Sequence, residues 1–401
     1  MRLNELPGAP HLSYCTNIHA GESWEEVRAS LDAHVPGIKA ASAPTTPFGI
    51  GLRLSEQAAR TLADEATLQA FRAQLARLGA YVFTINAFPY GRFHGTRVKE
   101  RVYLPDWRED ARVDYTLRCA TLLAALLPDG VDGSISTVPG AFKDVAGVPD
   151  AHAAICRQLA RTAAGLVEIE RRGGRRIALA LEPEPCCLLE TVDETLAFFE
   201  AHLLDRASLA TLARRIGGTV TGAERALRRH LGVCYDVCHA AVEFEAPVPA
   251  LKRLRAAGIE VPKIQLSTAL RVPDMQPARL PALHALDTGV YLHQVVAAGA
   301  GDGPERYVDL PQALAAYAGG AARGEWRIHC HVPVWRRELG ELESTQAELL
   351  ATLAVLKEEA ISAHLEVETY TWDVLPAEVR GASKAEAIAR ELAFVLEELG
   401  T

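Results

Sequence analysis

The 401-residue chain is predicted to fold as one α/β domain, a (β/α)8 barrel spanning residues 1–401. Short apolar runs that end in polar residues alternate with long stretches of helical spacing, which is the pattern of βα units. No linker rich in proline, glycine and serine divides the chain, and this length accommodates a barrel with an insertion. Pairs of polar residues follow the apolar runs, at the strand ends where barrel enzymes keep their catalytic groups.

Nine apolar runs are candidate strands, one more than a barrel needs. In chain order they are HLSYCTN, FGIGLRLS, AYVFTINAF, GSISTVPG, RIALALEPEP, LGVCYDVCH, PKIQLSTAL, WRIHCHVPV and AHLEVETYTW. One run is therefore expected to form an extra hairpin or to lie outside the barrel.

The helical stretches between these runs have recognisable ends. Ser55 is placed to cap the helix that follows it. Gly79 and the Gly173-Gly174 pair can end the helices that precede them, because glycine adopts the left-handed conformation of a helix C-terminus.

The least regular region, residues 271–324, is predicted to be an insertion that covers the mouth of the barrel. Long irregular segments in compact domains are often functional. Tyr291 and His293 in the stretch VYLHQ are the candidates for groups that face a ligand.

Composition and charge exclude some classes of partner. The chain carries 42 basic and 51 acidic residues, a net charge of −9, which argues against a nucleic acid as partner. No run approaches the 18 apolar residues of a membrane span, and the N-terminus lacks a signal-peptide pattern, so we expect a cytoplasmic protein without stable membrane insertion. The eight cysteines lack disulfide-type spacing and are expected to be reduced core thiols.

Polar side chains recur two residues apart at five successive strand ends. Residues i and i+2 of a strand share a face, so each pair points in one direction. The members are Glu182 with Glu184, Asp236 with Cys234 and Cys238 and with His239 just beyond, Gln265 with Ser267, His329 with His331, and Glu366 with Glu368 and Tyr370. Carboxylates that converge in this way repel one another unless a cation lies among them. The pattern predicts one divalent metal ion, Mn²⁺, Zn²⁺, Co²⁺, Fe²⁺ or Mg²⁺.

The alternative interpretation of these acidic residues is a buried salt-bridge network. In that case a basic residue such as Arg53, Arg92 or Lys143 would neutralise them, and the carboxylates would have no catalytic role.

Two further strand ends are predicted to contribute substrate-binding side chains at the same mouth. The stretch INAFPYGRFHG supplies Asn86, Tyr90, Arg92 and His94, and YCTNIHAGESW supplies Asn17 and His19. Glu184, His329, Glu366 and Tyr370 are the other candidates for substrate contacts. Aromatic faces mixed with hydrogen-bond donors suit a small polar ligand.

The stretches LALEPEP, CYDVCH and LEVETYTW resemble the strand ends of the xylose-isomerase-like TIM barrels, a superfamily of sugar isomerases, epimerases and endonuclease IV. Four longer stretches, HLSYCTNIHAGESW, INAFPYGRFHGTRVKE, GSISTVPGAFK and VETYTWDVLP, are more closely similar to the EboE-type metabolite-traffic proteins of the bacterial ebo cluster. The second resemblance extends over nearly the whole chain.

The superfamily resemblance implies that Glu182, Asp236 and Glu368 are metal ligands. The usual fourth ligand, a histidine on the next strand, falls on Gln265 if PKIQLSTAL is the seventh strand, or on His331 if WRIHCHVPV is. We favour His331, with His239 as a further candidate.

The resemblance also implies an isomerase or epimerase, in which Glu182 and Glu368 move a proton on a hydroxy-carbonyl metabolite. The alternatives are a metal-dependent phosphoesterase and a non-catalytic barrel that binds a metabolite and acts with other ebo-cluster proteins.

Overall fold

The computed structural model describes residues 1–92, 99–287, 289–298, 303–374 and 383–401 of the chain. His94, a predicted substrate-binding residue, and most of the glycine-rich stretch at 299–303 lie outside these ranges.

Eight parallel strands form the barrel, as predicted. They follow one another around the sheet in chain order, and the last strand pairs with both the seventh and the first. A bridge between Cys15 and Gly51 links the ends of the first and second strands and closes the circle. The eight strands are β1 His11–Tyr14, β2 Phe48–Arg53, β3 Ala80–Asn86, β4 Gly133–Thr137, β5 Ile177–Leu181, β6 Leu231–Asp236, β7 Lys263–Leu266 and β14 His364–Val367.

Most of the barrel strands are buried on both faces, because helices cover the outside and packed side chains fill the inside. Every residue of β2, β4, β5 and β6 is buried. This explains why β2, β5 and β6 are nearly continuous apolar runs whose polar residues come at the strand ends; β4, GSIST, instead buries small hydroxyl side chains.

Helices connect the barrel strands and have the predicted ends. Ser55 accepts a hydrogen bond from the Ala58 N–H, and Gly79 and Gly174 adopt φ of 61° and 64°. The long stretch after Ser55 divides into two helices, since Asp64 caps the second. The longer helices are Trp24–Ser42, Glu65–Leu78, Asp110–Leu126, Ala151–Gly173, Arg206–Ile216, Val220–His230, Pro247–Ala256, Gln346–Glu358 and Lys384–Leu399.

The chain between β7 and β14 forms a second, antiparallel sheet. Its six strands, in spatial order, are β10 Glu305–Tyr307, β9 Val295–Ala297, β11 Trp326–Ile328, β8 Leu270–Val272, β13 Leu342–Ser344 and β12 Glu338–Leu339. It has its own buried apolar cluster, which includes Trp326, Ile328 and Leu283. We refer to residues 270–344 as the cover sheet.

The structure decides one point about this region that the sequence left open, and it differs from the prediction on another. The stretch WRIHCHVPV supplies β11 of the cover sheet, whereas PKIQLSTAL supplies the seventh barrel strand, which pairs with β6 and β14. The excursion is also longer and more regular than the predicted residues 271–324. The cover-sheet strands are only two or three residues long, too short to leave a periodic pattern in the sequence.

No helix in the described part of the chain is both long and apolar enough to cross a membrane. All eight cysteines are free and buried, as predicted.

Candidate metal centre

Three carboxylates meet at the carboxyl ends of the barrel strands. Glu182 follows β5, Asp236 ends β6 and Glu368 follows β14. One oxygen from each lies within 4.8 Å of the others, and the three side chains are buried. The prediction that these strand ends converge is confirmed by the geometry.

Some oxygens of these three carboxylates accept hydrogen bonds, whereas other carboxylate oxygens have no hydrogen-bond partner among the described residues. Glu368 Oε1 accepts bonds from Asn17 Nδ2 at 2.6 Å and Asn86 Nδ2 at 3.2 Å. Asp236 Oδ1 accepts a bond from Ser267 Oγ at 2.6 Å. In contrast, Glu182 Oε2 and Asp236 Oδ2 are buried and have no hydrogen-bond partner among the described residues. Buried, unpaired carboxylate oxygens are costly unless a cation binds them.

Two imidazoles point at the free oxygen of Asp236. His239 Nε2 lies 3.6 Å and His331 Nε2 3.9 Å from Asp236 Oδ2, both beyond the usual range of an N–H···O hydrogen bond. Two ligand atoms that each lie about 2.1 Å from a tetrahedral metal ion are separated by about 3.4 Å. The spacing therefore resembles that of ligands around a cation.

Backbone carbonyls orient both rings. His239 Nδ1 bonds the Pro183 carbonyl at 3.0 Å, and His331 Nδ1 bonds the Glu368 carbonyl at 2.9 Å. A carbonyl accepts only from a protonated Nδ1, so Nε2 is the ring nitrogen that each histidine directs towards Asp236 and could offer to a metal ion. Metal-binding histidines are commonly oriented in this way.

Gln265 lies in the seventh strand, where the resemblance places a histidine. It is fully buried, and neither amide atom has a hydrogen-bond partner within the described ranges. His331 reaches the same centre from the end of β11, outside the barrel. The choice between Gln265 and His331 as the fourth ligand stays a prediction.

Burial and mutual repulsion perturb the titration of the centre. Burial, followed by the charge of Asp236, raises the pKa of Glu182 well above its ordinary value. Burial and the charges of Glu182 and Asp236 do the same for Glu368. Burial lowers the pKa of His239 to about 4, so its ring is neutral at pH 7. In the absence of a cation, the centre favours protonated glutamates.

A separate ion pair lies in the barrel lumen beside the centre. Lys263 Nζ is 2.6 Å from Glu366 Oε1, and both side chains are fully buried. Gly51 makes room for Glu366, since a Cβ at this position would lie 1.3 Å from Glu366 Oε2. Lys263 is a buried charge that the sequence interpretation missed, although it stands two residues before Gln265 on the same strand.

The cations proposed for a salt-bridge network lie elsewhere. Arg53 pairs with Glu22, Lys143 pairs with Glu190 and Glu194, and Arg92 is exposed. Lys263 supplies a buried positive charge instead, but its direct partner is Glu366.

A pocket of about 570 Å³, including its open mouth, adjoins the centre. Glu182, Glu368 and His239 form part of its lining. The other predicted residues that line it are Asn17, Asn86, Glu184, His329, Tyr370 and Tyr291.

Five of the residues predicted to contact a substrate or ligand do not line this pocket. His19 bonds Tyr14 through its Nε2 and stacks on His34. Tyr90 packs against the ring of Tyr115, since the chain turns outward after β3. The other three are the exposed Arg92, the lumen residue Glu366 and the buried His293.

Two pocket residues were missed because nothing in their local sequence indicates a role. Tyr103 donates a hydrogen bond to Glu184 Oε1 at 2.6 Å, and Gln294 Nε2 donates to the same oxygen at 3.3 Å. Gln294 Oε1 also lies 2.8 Å from His329 Nδ1. Gln294 thus links the barrel to the cover sheet, and burial raises the pKa of Glu184 to about 8.

No family model and no curated protein matches the chain. Similar solved structures include a xylose isomerase domain protein from Planctomyces limnophilus, 15% identical with TM-score 0.48, covering 98% of each chain. A D-tagatose 3-epimerase-like protein is 11% identical with TM-score 0.48, covering 97% of this chain and 98% of its own. The IolI protein with a bound zinc atom is 13% identical with TM-score 0.45, covering 97% and 98%. Similarity at this level carries no argument about substrate or reaction.

Proposed function

We propose that the chain is a divalent-metal-dependent enzyme of the isomerase or epimerase type that acts on a small, polar hydroxy-carbonyl metabolite. The observation that carries the proposal is the convergence of Glu182, Asp236 and Glu368, with His331 Nε2 3.9 Å from Asp236 Oδ2. Three buried ligand atoms of this set have no hydrogen-bond partner in the described chain. A pocket of metabolite size opens directly onto this set.

The side chains present suit a divalent cation. Three carboxylates and one imidazole would hold it, with Gln265 and His239 as neighbouring donors. Oxygen-rich ligands with one nitrogen fit Mn²⁺, Zn²⁺, Co²⁺, Fe²⁺ or Mg²⁺ without strong selection. The orphaned atoms Glu182 Oε2, Asp236 Oδ2 and His331 Nε2 would gain a partner.

A bound cation would supply electrostatic stabilisation of the oxygen that becomes negative when a proton leaves the adjacent carbon. Glu182 and Glu368 line the pocket and are the candidates for accepting and returning that proton. Asn17 and Asn86 would hold Glu368 in position. The aromatic rings of Tyr103, Tyr291 and Tyr370 would exclude water from the reaction.

The alternatives differ in their support. A phosphoesterase usually binds its substrate with cationic side chains. Among the described residues that line the pocket, Lys99 is the one lysine or arginine, and it pairs with Asp309. A non-catalytic metabolite-binding barrel needs the same pocket but no proton transfer. Kinship with EboE-type proteins, association with other ebo-cluster proteins, a cytoplasmic location and a single domain remain predictions from the sequence.

The test combines metal analysis with proton exchange. Mass spectrometry of the purified protein should find a divalent metal, and incubation with hydroxy-ketones in D₂O should exchange the proton next to the carbonyl. Asp236→Asn should abolish both, whereas Arg92→Ala, the exposed control, should change neither. Metal binding without exchange across a hydroxy-ketone panel would favour the binding protein over the enzyme.

A further inference from the structure

Much of the pocket lining outside the metal centre is apolar. Two segments supply it, the chain that follows β3 and the cover sheet. Phe88 and Pro89 come shortly after β3, and Val102 lies further along the same connection. Tyr291 and Leu292 come from the cover sheet. We refer to these five residues, which carry no charge, as the apolar wall.

Five polar side chains in the same pocket are already bonded to one another. Tyr103 and Gln294 both donate to Glu184 Oε1. Gln294 Oε1 lies 2.8 Å from His329 Nδ1, and Tyr370 Oη lies 3.2 Å from His329 Nε2. These contacts occupy much of the hydrogen-bonding capacity that the hydroxyls of a sugar would need. A ligand hydroxyl buried in the pocket without a partner would weaken binding roughly tenfold or more.

The positive charge in the described pocket lining is also engaged. Lys99 pairs with Asp309 of the cover sheet, and the two side chains are 12% and 15% exposed. Asp309 is fixed in turn, because it accepts hydrogen bonds from the backbone N–H groups of His293 and Leu310. A phosphate or carboxylate on a ligand would have to break this pair to bind Lys99. The part of the pocket beside the apolar wall therefore suits an uncharged group.

We infer that the substrate is amphipathic. It is a hydroxy-ketone whose polar end meets the metal centre and whose other end is an alkyl or aryl group packed against Phe88, Val102 and Leu292. The inference names the substrate class of the proposed function and rests on it. The pocket of about 570 Å³ has room for such a molecule, because pockets of about 300–1,000 Å³ bind drug-sized ligands.

The experiment measures how the full chain, saturated with Mn²⁺, binds two series of probes. The first series is the 1-hydroxy-2-alkanones from hydroxyacetone to 1-hydroxy-2-octanone. The second is dihydroxyacetone, erythrulose and fructose, which lengthen by hydroxylated carbons instead. Calorimetric titration gives the dissociation constants. The affinity should rise up to about fourfold for each methylene added in the first series, and it should not rise along the second.

A matched pair of variants distinguishes the apolar wall from general hydrophobic binding. Val102→Asn places an amide in the wall and should reduce the rise in the first series to less than about twofold per methylene. Val148→Asn makes the same change at a valine that is 44% exposed and outside the pocket lining, and it should leave the rise intact. A rise that is unchanged in both Val102→Asn and Leu292→Asn overturns the inference.

Proton exchange in D₂O, measured on the same probes, separates this inference from the proposed function. Affinity that is flat or falls along the alkanones, while the ketoses exchange a proton, overturns the inference and leaves the proposed function standing. Affinity that rises along the alkanones without exchange in any probe supports the apolar wall and contradicts the proposed reaction. Absence of binding by every alkanone also overturns the inference. These outcomes do not depend on the folding of a variant.

Discussion

Glu366 and Glu368 stand two residues apart at the end of one strand, and both are buried, but they differ in how their charge is balanced. Glu366 has Lys263 at 2.6 Å, whereas Glu368 has two asparagine amides and two other carboxylates nearby. Burial and those carboxylates raise the pKa of Glu368. The lumen pair is complete within the protein, while the metal centre is complete only with an added cation or proton. In our proposal, this difference separates a structural carboxylate, Glu366, from a functional one, Glu368.

The largest effect is expected from breaking the lumen pair. Lys263→Met would leave Glu366 as an uncompensated buried charge, and we expect a loss of about 3–5 kcal/mol in the free energy of unfolding. Urea denaturation monitored by circular dichroism would measure it. The double variant Lys263→Met/Glu366→Gln should recover much of the loss. A single variant as stable as the original protein would show that the lumen pair does not contribute in this way.

Removing a charge from the metal centre should lower metal affinity more than it lowers the stability of the fold. Glu182→Gln removes a carboxylate that is already forced towards its protonated form, so the stability of the chelated protein should change by less than about 1 kcal/mol. Its affinity for Mn²⁺ or Zn²⁺ should fall at least 10- to 100-fold, since Glu182 is a direct ligand in our proposal. Calorimetric titration and thermal melting with and without chelator would separate these effects. A loss of several kcal/mol without metal would contradict the comparison.

The pH dependence of metal binding should sharpen the comparison further. The pKa values of Glu182 and Glu368 are raised, so binding must displace protons, and the affinity should increase as the pH rises above about 5. Each displaced proton adds up to about tenfold in affinity per pH unit. Titrations in buffers of different ionisation enthalpy would count the protons released. Affinity independent of pH between 5 and 8 would contradict this prediction.

The smallest effect is expected at Gln265, which lies in register between Asp236 of the metal centre and Glu366 of the lumen pair. Gln265→Met keeps the volume but removes two buried amide atoms without partners, so the chelated protein should gain about 1 kcal/mol. If His331 is the fourth ligand, metal affinity should change less than tenfold. Chemical denaturation and metal titration would measure both quantities. A large loss of affinity would assign Gln265 as the ligand in place of His331.

The predictable part of the molecule depends on local patterns. Ser55, Gly79 and Gly174 terminate helices by contacts with near neighbours in sequence, so they could be identified directly. Glu182, Asp236 and Glu368 could be placed together because parallel strands bring their carboxyl ends to one edge. The outward turn that removes Tyr90 and Arg92 from the pocket has no such signature.

The sequence by itself determined the barrel, the mouth at which the polar residues gather and the three converging carboxylates, since strand periodicity and βα alternation are properties of short stretches. Only the tertiary structure decided that Lys263 neutralises Glu366, that β11 joins the cover sheet, and that His329, His331 and Gln294 reach the barrel from outside. These contacts join residues between 35 and 145 positions apart through packing that leaves no local pattern.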